Sequence, residues 1–240
     1  MKLSAPIYHL KRKAKIFSRQ EKIPLHVSLD RVALQEGFTS WSLLAAKNSG
    51  TPHSRKLFEQ LRAGDLVLIG ARPGHGKTLL SLELAVEAMK AGRRAVFFTL
   101  EYNRQDILDC FHVIGADLEK FAGLFDFDTS DAISADYIVG KLPSAMPGTL
   151  VVIDYMQILD QKREKPDLKS QLQTLKSFAK DRGLIIITLS QIDRLYDPSA
   201  KSVPDMSDVR LPNPVDLSLF NKSCFLNNGE VRFLEKAVKQ

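Results

Sequence analysis

The chain has 240 residues, 44% of them hydrophobic and 26% charged, with a formal net charge of +6. That composition excludes wholesale disorder, and the length holds one full α/β domain with a small appendage. No apolar run approaches the roughly 18 residues that span a bilayer, and the apolar stretch after Met1-Lys2 soon meets Lys11-Arg12-Lys13 and is no signal-peptide core. A cytoplasmic protein with no membrane partner is expected.

The charge is unevenly placed: through residue 60 there are eleven Lys and Arg against four acids, and the remainder carries 23 basic and 24 acidic residues. Residues 5 to 20 read as a basic amphipathic helix with Ile7, Leu10, Ala14 and Phe17 on one face. Leu25 to Gln35 reads as a second helix ended by Gly37, and Ser40 to Leu44 as a short third one capped by Thr39 or Ser40. Residues 1–50 thus form a basic helical module with its linker, Lys47 to Ser54, and Trp41 is its expected packing centre. Below roughly 60 residues a separate core is marginal, so the module should lean on the main domain or on a neighbouring subunit. Two roles stand for it, a DNA-binding attachment or a subunit-docking element. Docking is favoured, because only Tyr8 and Phe17 lie among the basic residues, too few for a stacking surface.

Residues 51–240 read as one α/β domain. After a lead-in helix over His53 to Leu61, the run Leu66-Val67-Leu68-Ile69 suits a buried strand, and Leu79 to Ala91 suits a helix closed by Gly92. Between them lies the glycine-rich turn Arg72-Pro73-Gly74-His75-Gly76-Lys77-Thr78, placed as a phosphate-binding loop requires. In such a loop the backbone N–H groups and the helix N-terminus face phosphates, Lys77 supplies positive charge and the Thr78 hydroxyl can hold Mg²⁺. ATP and Mg²⁺ are therefore the expected cofactors. The strict pattern asks for glycine at position 71, which is alanine here, with Gly70 one place earlier.

Arg94 to Leu100 reads as a second strand, followed by helical segments at Arg104 to Ile114 and Leu118 to Phe121, a short strand near Phe125 to Phe127 and a helix over Ala132 to Leu142. Leu150 to Asp154 is a third strand, Lys169 to Arg182 a helix stopped by Gly183, and Leu184 to Leu189 a fourth clear strand. Continuous apolar strands alternating with helices predict a mostly parallel sheet covered on both faces. Cys110 and Cys224 have no metal-type spacing and are expected as free thiols.

Three strands end in polar groups at the edge where open α/β sheets bind ligands. Asp154 would hold the Mg²⁺ shell, the alternative being a turn or helix-capping aspartate. Glu101 could accept a proton from, or orient, the water that attacks a γ-phosphate; the alternative is an exposed strand-end glutamate with no role. Gln191 is placed to sense the γ-phosphate or that water by hydrogen bonding.

These stretches, Ala71-Arg72-Pro73 ahead of Gly76-Lys77-Thr78, Phe97 to Glu101, Val152 to Leu159 and Leu189 to Arg194, resemble in order and spacing the motifs of DnaB-type replicative DNA helicases, over roughly residues 60 to 235. The resemblance implies a RecA-like P-loop ATPase core. It places Lys77 and Thr78 on nucleotide and metal, Asp154 on metal, Glu101 as catalytic base and Gln191 as γ-phosphate sensor. It also implies a ring of subunits, usually six, with nucleotide between neighbours and single-stranded DNA in the channel. Loops after Asp154 and Gln191 would line that channel, so Lys162, Arg163, Lys165, Arg194, Lys201 and Arg210 become candidate phosphate contacts, with solvated charged turns as the alternative. Against the family's pattern, the helical domain that contacts primase is expected to be missing, with the short basic module in its place. The Arg-Asn-Gly that carries the family's arginine finger does not follow Lys239-Gln240, which leaves Arg194, Arg210 and Arg232 as candidates for it.

Two functions of different class follow: an ATP-hydrolysing helicase-like protein acting on single-stranded DNA, or a nucleotide-gated regulatory or DNA-binding ATPase that separates no strands. A small-molecule kinase would want an arginine-rich lid and an acceptor-site carboxylate, and neither is evident in the sequence.

Overall fold

The computed structural model describes residues 4, 7–48, 53–160, 166–210, 215–227 and 230–235. The chain divides into two compact units, Met1–His53 and Ser54–Gln240. The front unit is three helices, α1 (Ile7–Glu21), α2 (Leu25–Gln35) and α3 (Trp41–Asn48). Leu10 and Ala14 from α1, Leu29, Val32 and Ala33 from α2, then Phe38, Trp41 and Leu44, make its core, with Phe17 partly buried against it. The three- and four-residue spacing puts each helix's apolar residues on one face. Helix α3 is capped twice: Ser40 Oγ accepts from the Leu43 N–H at 3.3 Å, and Asp30 Oδ1 of α2 accepts from the Trp41 N–H at 2.9 Å. The side chains of Ile7 and Tyr8, and linker residues 49–52, lie outside the described residues.

The boundary falls after the first residue of α4 (His53–Phe58), and the second unit continues β1 (Leu66–Ala71), α5 (Lys77–Lys90), β2 (Ala95–Thr99), α6 (Arg104–Val113), β3 (Phe125–Asp128), α7 (Ala135–Lys141), β4 (Leu150–Asp154), α8 (Leu168–Arg182), β5 (Ile185–Gln191), β6 (Lys222–Asn227) and β7 (Glu230–Glu235). The described residues form a seven-stranded sheet in the order β3-β2-β4-β5-β1-β6-β7. All neighbours are parallel except β6 and β7, which pair antiparallel. This is the mostly parallel, RecA-like ATPase fold.

The central strands are buried on both faces, which is why they read as unbroken apolar runs. Leu66, Leu68, Val151, Ile153 and Ile186 pack with Ile138 of α7 and Leu172 and Leu175 of α8. Val67, Ile69, Val152, Ile185 and Ile187 pack with Leu82 and Ala85 of α5 and Phe111 of α6. Both cysteines are free, and burial pushes the Cys224 thiol up to about 12.

The hairpin of β6 and β7 was not expected. β6 opens on a lysine that is 3% exposed, a residue type that reads as surface. Its ammonium is buried only because it meets Asp65 at 2.7 Å and the Gln60 carbonyl at 2.6 Å. Helix α7 also starts later than Ala132, because the Ser134 side chain caps it by accepting from the Tyr137 N–H at 3.2 Å.

Candidate nucleotide-binding site

The carboxyl ends of β1, β2, β4 and β5 converge. Ala71 pairs with Gln191 and Thr99 with Asp154, so the turn after β1 opens beside the ends of the strands that carry the other polar groups. Gly70 explains the departure from the strict glycine pattern. A Cβ on it would lie 2.7 Å from the Phe225 ring, so glycine is needed within the strand, whereas Ala71 is accommodated in the core. Gly74 and Gly76 have φ of +75° and +85°, the left-handed region that lets the turn curl onto the first turn of α5. No side chain caps that helix. Its first N–H groups therefore face the turn without an internal acceptor, an arrangement suited to an anion.

Thr78 and Asp154 are brought together. The Thr78 hydroxyl donates to Asp154 Oδ2 at 3.0 Å, and both residues are buried. Asp154 Oδ1 is also buried and has no hydrogen-bond partner. Burial pushes the Asp154 carboxyl up to about 6; the Lys77 charge opposes that rise and Glu101 adds to it. A desolvated carboxylate with one bare oxygen, next to a hydroxyl, has the donor chemistry of a divalent-cation site, so Asp154 and Thr78 fit Mg²⁺. Lys77 is buried at the start of α5. Glu101 is exposed just past β2, its N–H donating to Thr99 Oγ1 at 3.0 Å, so its carboxyl is free to meet solvent at the same edge.

The other turn residues differ among themselves. Pro73 and Gly74 are exposed and His75 is half-buried, its N–H donating to the Arg72 carbonyl at 3.1 Å. Arg72 donates to the Tyr196 carbonyl, and its guanidinium lies 5.2 Å from the Tyr196 ring centroid. It thereby ties the phosphate-binding turn to the segment after β5.

That segment is folded. Ile192 bridges Val209, the Asp193 N–H donates to the Asp208 carbonyl at 2.7 Å, and the Arg210 N–H donates to the Gln191 carbonyl at 2.8 Å. Lys201 is neutralised within it by Asp205 at 2.8 Å and Asp208 at 2.6 Å, and its pairing with Lys201 holds Asp205 down at about 2. Arg194 is exposed. Arg210 places Nη1 3.4 Å from Gln191 Oε1. Lys162, Arg163 and Lys165 lie outside the described residues.

Two residues beside the site carry no role in the sequence pattern. Burial raises the pKa of Tyr102; the neighbouring Thr78 side chain opposes that rise, and the Asp154 and Glu101 charges add to it. Its position directly after Glu101 was the only available signal. Gln157, in the turn after β4, donates through Nε2 to the Arg210 carbonyl at 2.9 Å and to Ser190 Oγ at 3.4 Å, while its Oε1 is buried without a partner. No spacing rule points to it.

A family model described as ATPase: KaiC matches residues 55–206. The replicative DNA helicase DnaB of Mycoplasma genitalium is 25% identical over 217 residues, covering 74% of this chain and 46% of the relative. The chain spans about half the length of the curated relatives it matches. Among solved structures, a DnaB-like replicative helicase studied for its interactions with primase covers 90% of this chain and 66% of its own, with a TM-score of 0.55 and 18% identity. A KaiC-like protein from Pyrococcus horikoshii OT3 covers 68% of this chain and 70% of its own, with a TM-score of 0.50 and 20% identity. At such identities the structural likeness concerns the fold. The likeness to DnaB-type helicases expected from the motifs recurs in both the sequence and the fold comparisons.

Proposed function

Because the chain belongs to the KaiC ATPase family, we propose that it hydrolyses ATP in association with single-stranded DNA, as a ring-forming protein of the DnaB-like helicase class. The observation that carries the nucleotide half of this reading is the Thr78–Asp154 pair with its bare, buried Oδ1 directly behind the phosphate-binding turn. The DNA half rests on the DnaB relatives.

In the proposed reaction the turn and the N-terminus of α5 receive the phosphates through N–H groups, and Lys77 balances their charge. Asp154 and Thr78 would hold Mg²⁺, and the ion would supply neutralisation of the phosphate charge. Glu101 accepts the proton of the attacking water, and its exposure leaves it open to that water. Gln191 reports on the γ-phosphate. Arg194 and Arg210 remain the described candidates for DNA phosphate contacts, with Lys162, Arg163 and Lys165 beside them on sequence grounds. The front unit is proposed as a docking element between subunits.

A second reading has its own support. Lys201 is committed to two carboxylates of its own loop, which reduces the free positive charge available for DNA, and the matched family model is that of a KaiC ATPase rather than a helicase. On this reading ATP governs assembly or partner binding, and no strands separate. Steady-state hydrolysis by the full chain, with and without single-stranded DNA, separates the two. DNA stimulation that disappears in Glu101→Gln supports the first, and turnover indifferent to DNA supports the second.

A further inference from the structure

Gln191 ends β5 opposite Ala71, at the mouth of the phosphate-binding turn. A primary amide is two-faced: its oxygen only accepts and its NH₂ only donates. A γ-phosphate presents only acceptor oxygens, so a glutamine that reads it must present nitrogen. The two faces have nearly the same shape, and local contacts decide between them.

Arg210 supplies that decision. Its guanidinium has donors only, and Nη1 lies 3.4 Å from Gln191 Oε1. The oxygen of Gln191 is thereby engaged, and Nε2 has no hydrogen-bond partner among the described residues. Arg210 is held in turn at its backbone, its N–H donating to the Gln191 carbonyl at 2.8 Å and its carbonyl accepting from Gln157 Nε2 at 2.9 Å. Gln157 maintains this grip although its own Oε1 is buried and unpaired. A bare buried acceptor costs free energy, and an apolar side chain of similar size would avoid that cost.

We infer that Arg210, clamped by Gln157, is a positioning residue that presents the NH₂ face of Gln191 to the γ-phosphate. This rests on the reading of Gln191 as the γ-phosphate sensor. It gives Arg210 a task in the DNA-free protein that is separate from any contact with nucleic acid.

The test measures the affinity of the full chain, without DNA, for magnesium-bound AMP-PNP and for ADP by calorimetry, with thermal unfolding as the check on folding. Arg210→Met keeps the aliphatic stem and removes the donors. It should lower the preference for AMP-PNP over ADP roughly tenfold, the size of one hydrogen bond to a charged group, while ADP affinity holds. Gln191→Ala should produce the same loss, and the double variant no more than either alone, because both act on one contact. Arg210→Lys, which keeps a donor, should retain part of the preference, and Gln157→Leu should lower it while leaving Arg210 in the chain. A wild-type preference in both Arg210→Met and Gln157→Leu, with Gln191→Ala impaired, would overturn the positioning role alone. A wild-type preference in Gln191→Ala would overturn the sensor reading and this inference with it.

Discussion

At the amino end of β1, Asp65 Oδ2 accepts from the Lys222 ammonium at 2.7 Å and from the Arg62 N–H at 2.7 Å. At the carboxyl end of β4, Asp154 receives one hydrogen bond, from Thr78, and keeps Oδ1 buried and bare. Both carboxylates are buried at strand ends of the same sheet, Asp65 just before β1 and Asp154 as the last residue of β4. The first has a full counter-charge and fixes β6 against β1. The second is held in a state that favours its proton, with a carboxyl pushed up to about 6, and its ionised form is a cost to the fold. Edges of one sheet can thus be told apart by how completely their buried charges are paired.

The largest way to break the contrast is Lys222→Met. It leaves Asp65 buried without its cation, and unfolding in urea should show a loss of about 3–5 kcal/mol. Pairing it with Asp65→Asn should recover much of the loss. An unchanged midpoint for Lys222→Met would mean that the ion pair fixes nothing.

The next effect is a pH dependence at Asp154 in the metal-free protein. Its folded-state pKa is raised from 3.8 to about 6, so its contribution to stability is fully present below about 3.8 and is lost as pH rises through about 6. The loss amounts to about 3 kcal/mol, the equivalent of roughly two pKa units. Asp154→Asn should remove this component of a stability profile recorded in EDTA, and should also abolish Mg²⁺-dependent nucleotide binding. If the wild-type and Asn profiles run parallel between pH 4 and 7, the account of the bare oxygen is wrong.

Gly70→Ala tests the packing behind the phosphate-binding turn. Its Cβ would meet Phe225 Cε1 at 2.7 Å, an overpacking worth about 1–3 kcal/mol. Thermal unfolding of that variant beside Phe225→Leu/Gly70→Ala, which opens the space again, reads it out. The smallest effect belongs to the partly buried counterpart of the two buried carboxylates. Lys201 with Asp205 and Asp208 is only partly buried and open to solvent screening, so Lys201→Ala should lower the unfolding midpoint less than any of the substitutions above. A larger loss would show that its loop depends on those pairs.

The sequence exposes the side of the site made of strand ends. The apolar runs before Asp154 and Glu101 mark buried parallel strands, and the turn from Arg72 to Thr78 carries its own backbone signature in Gly74 and Gly76. The buried state of Asp154 is therefore readable in advance, but its pairing is not, since its one hydrogen bond comes from a threonine 76 residues away. Hidden from a reading of local pattern are features made by long-range pairing. Lys222 looks like surface until Asp65 is placed beside it, 157 residues distant in sequence. Lys201 looks like a free cation until the loop folds Asp205 and Asp208 onto it. Gln157 reaches Arg210 across 53 residues. Gly70 was visible only as a displaced motif glycine, and Phe225 supplies the reason for it.

The most direct test of the proposed function is the steady-state ATPase rate of the full chain with and without single-stranded DNA, beside Lys77→Ala. DNA should raise the rate, and Lys77→Ala should abolish it. A rate no higher than that of the Lys77→Ala protein, or one that DNA leaves unchanged, would contradict a DNA-coupled ATPase and favour a nucleotide-gated binding protein.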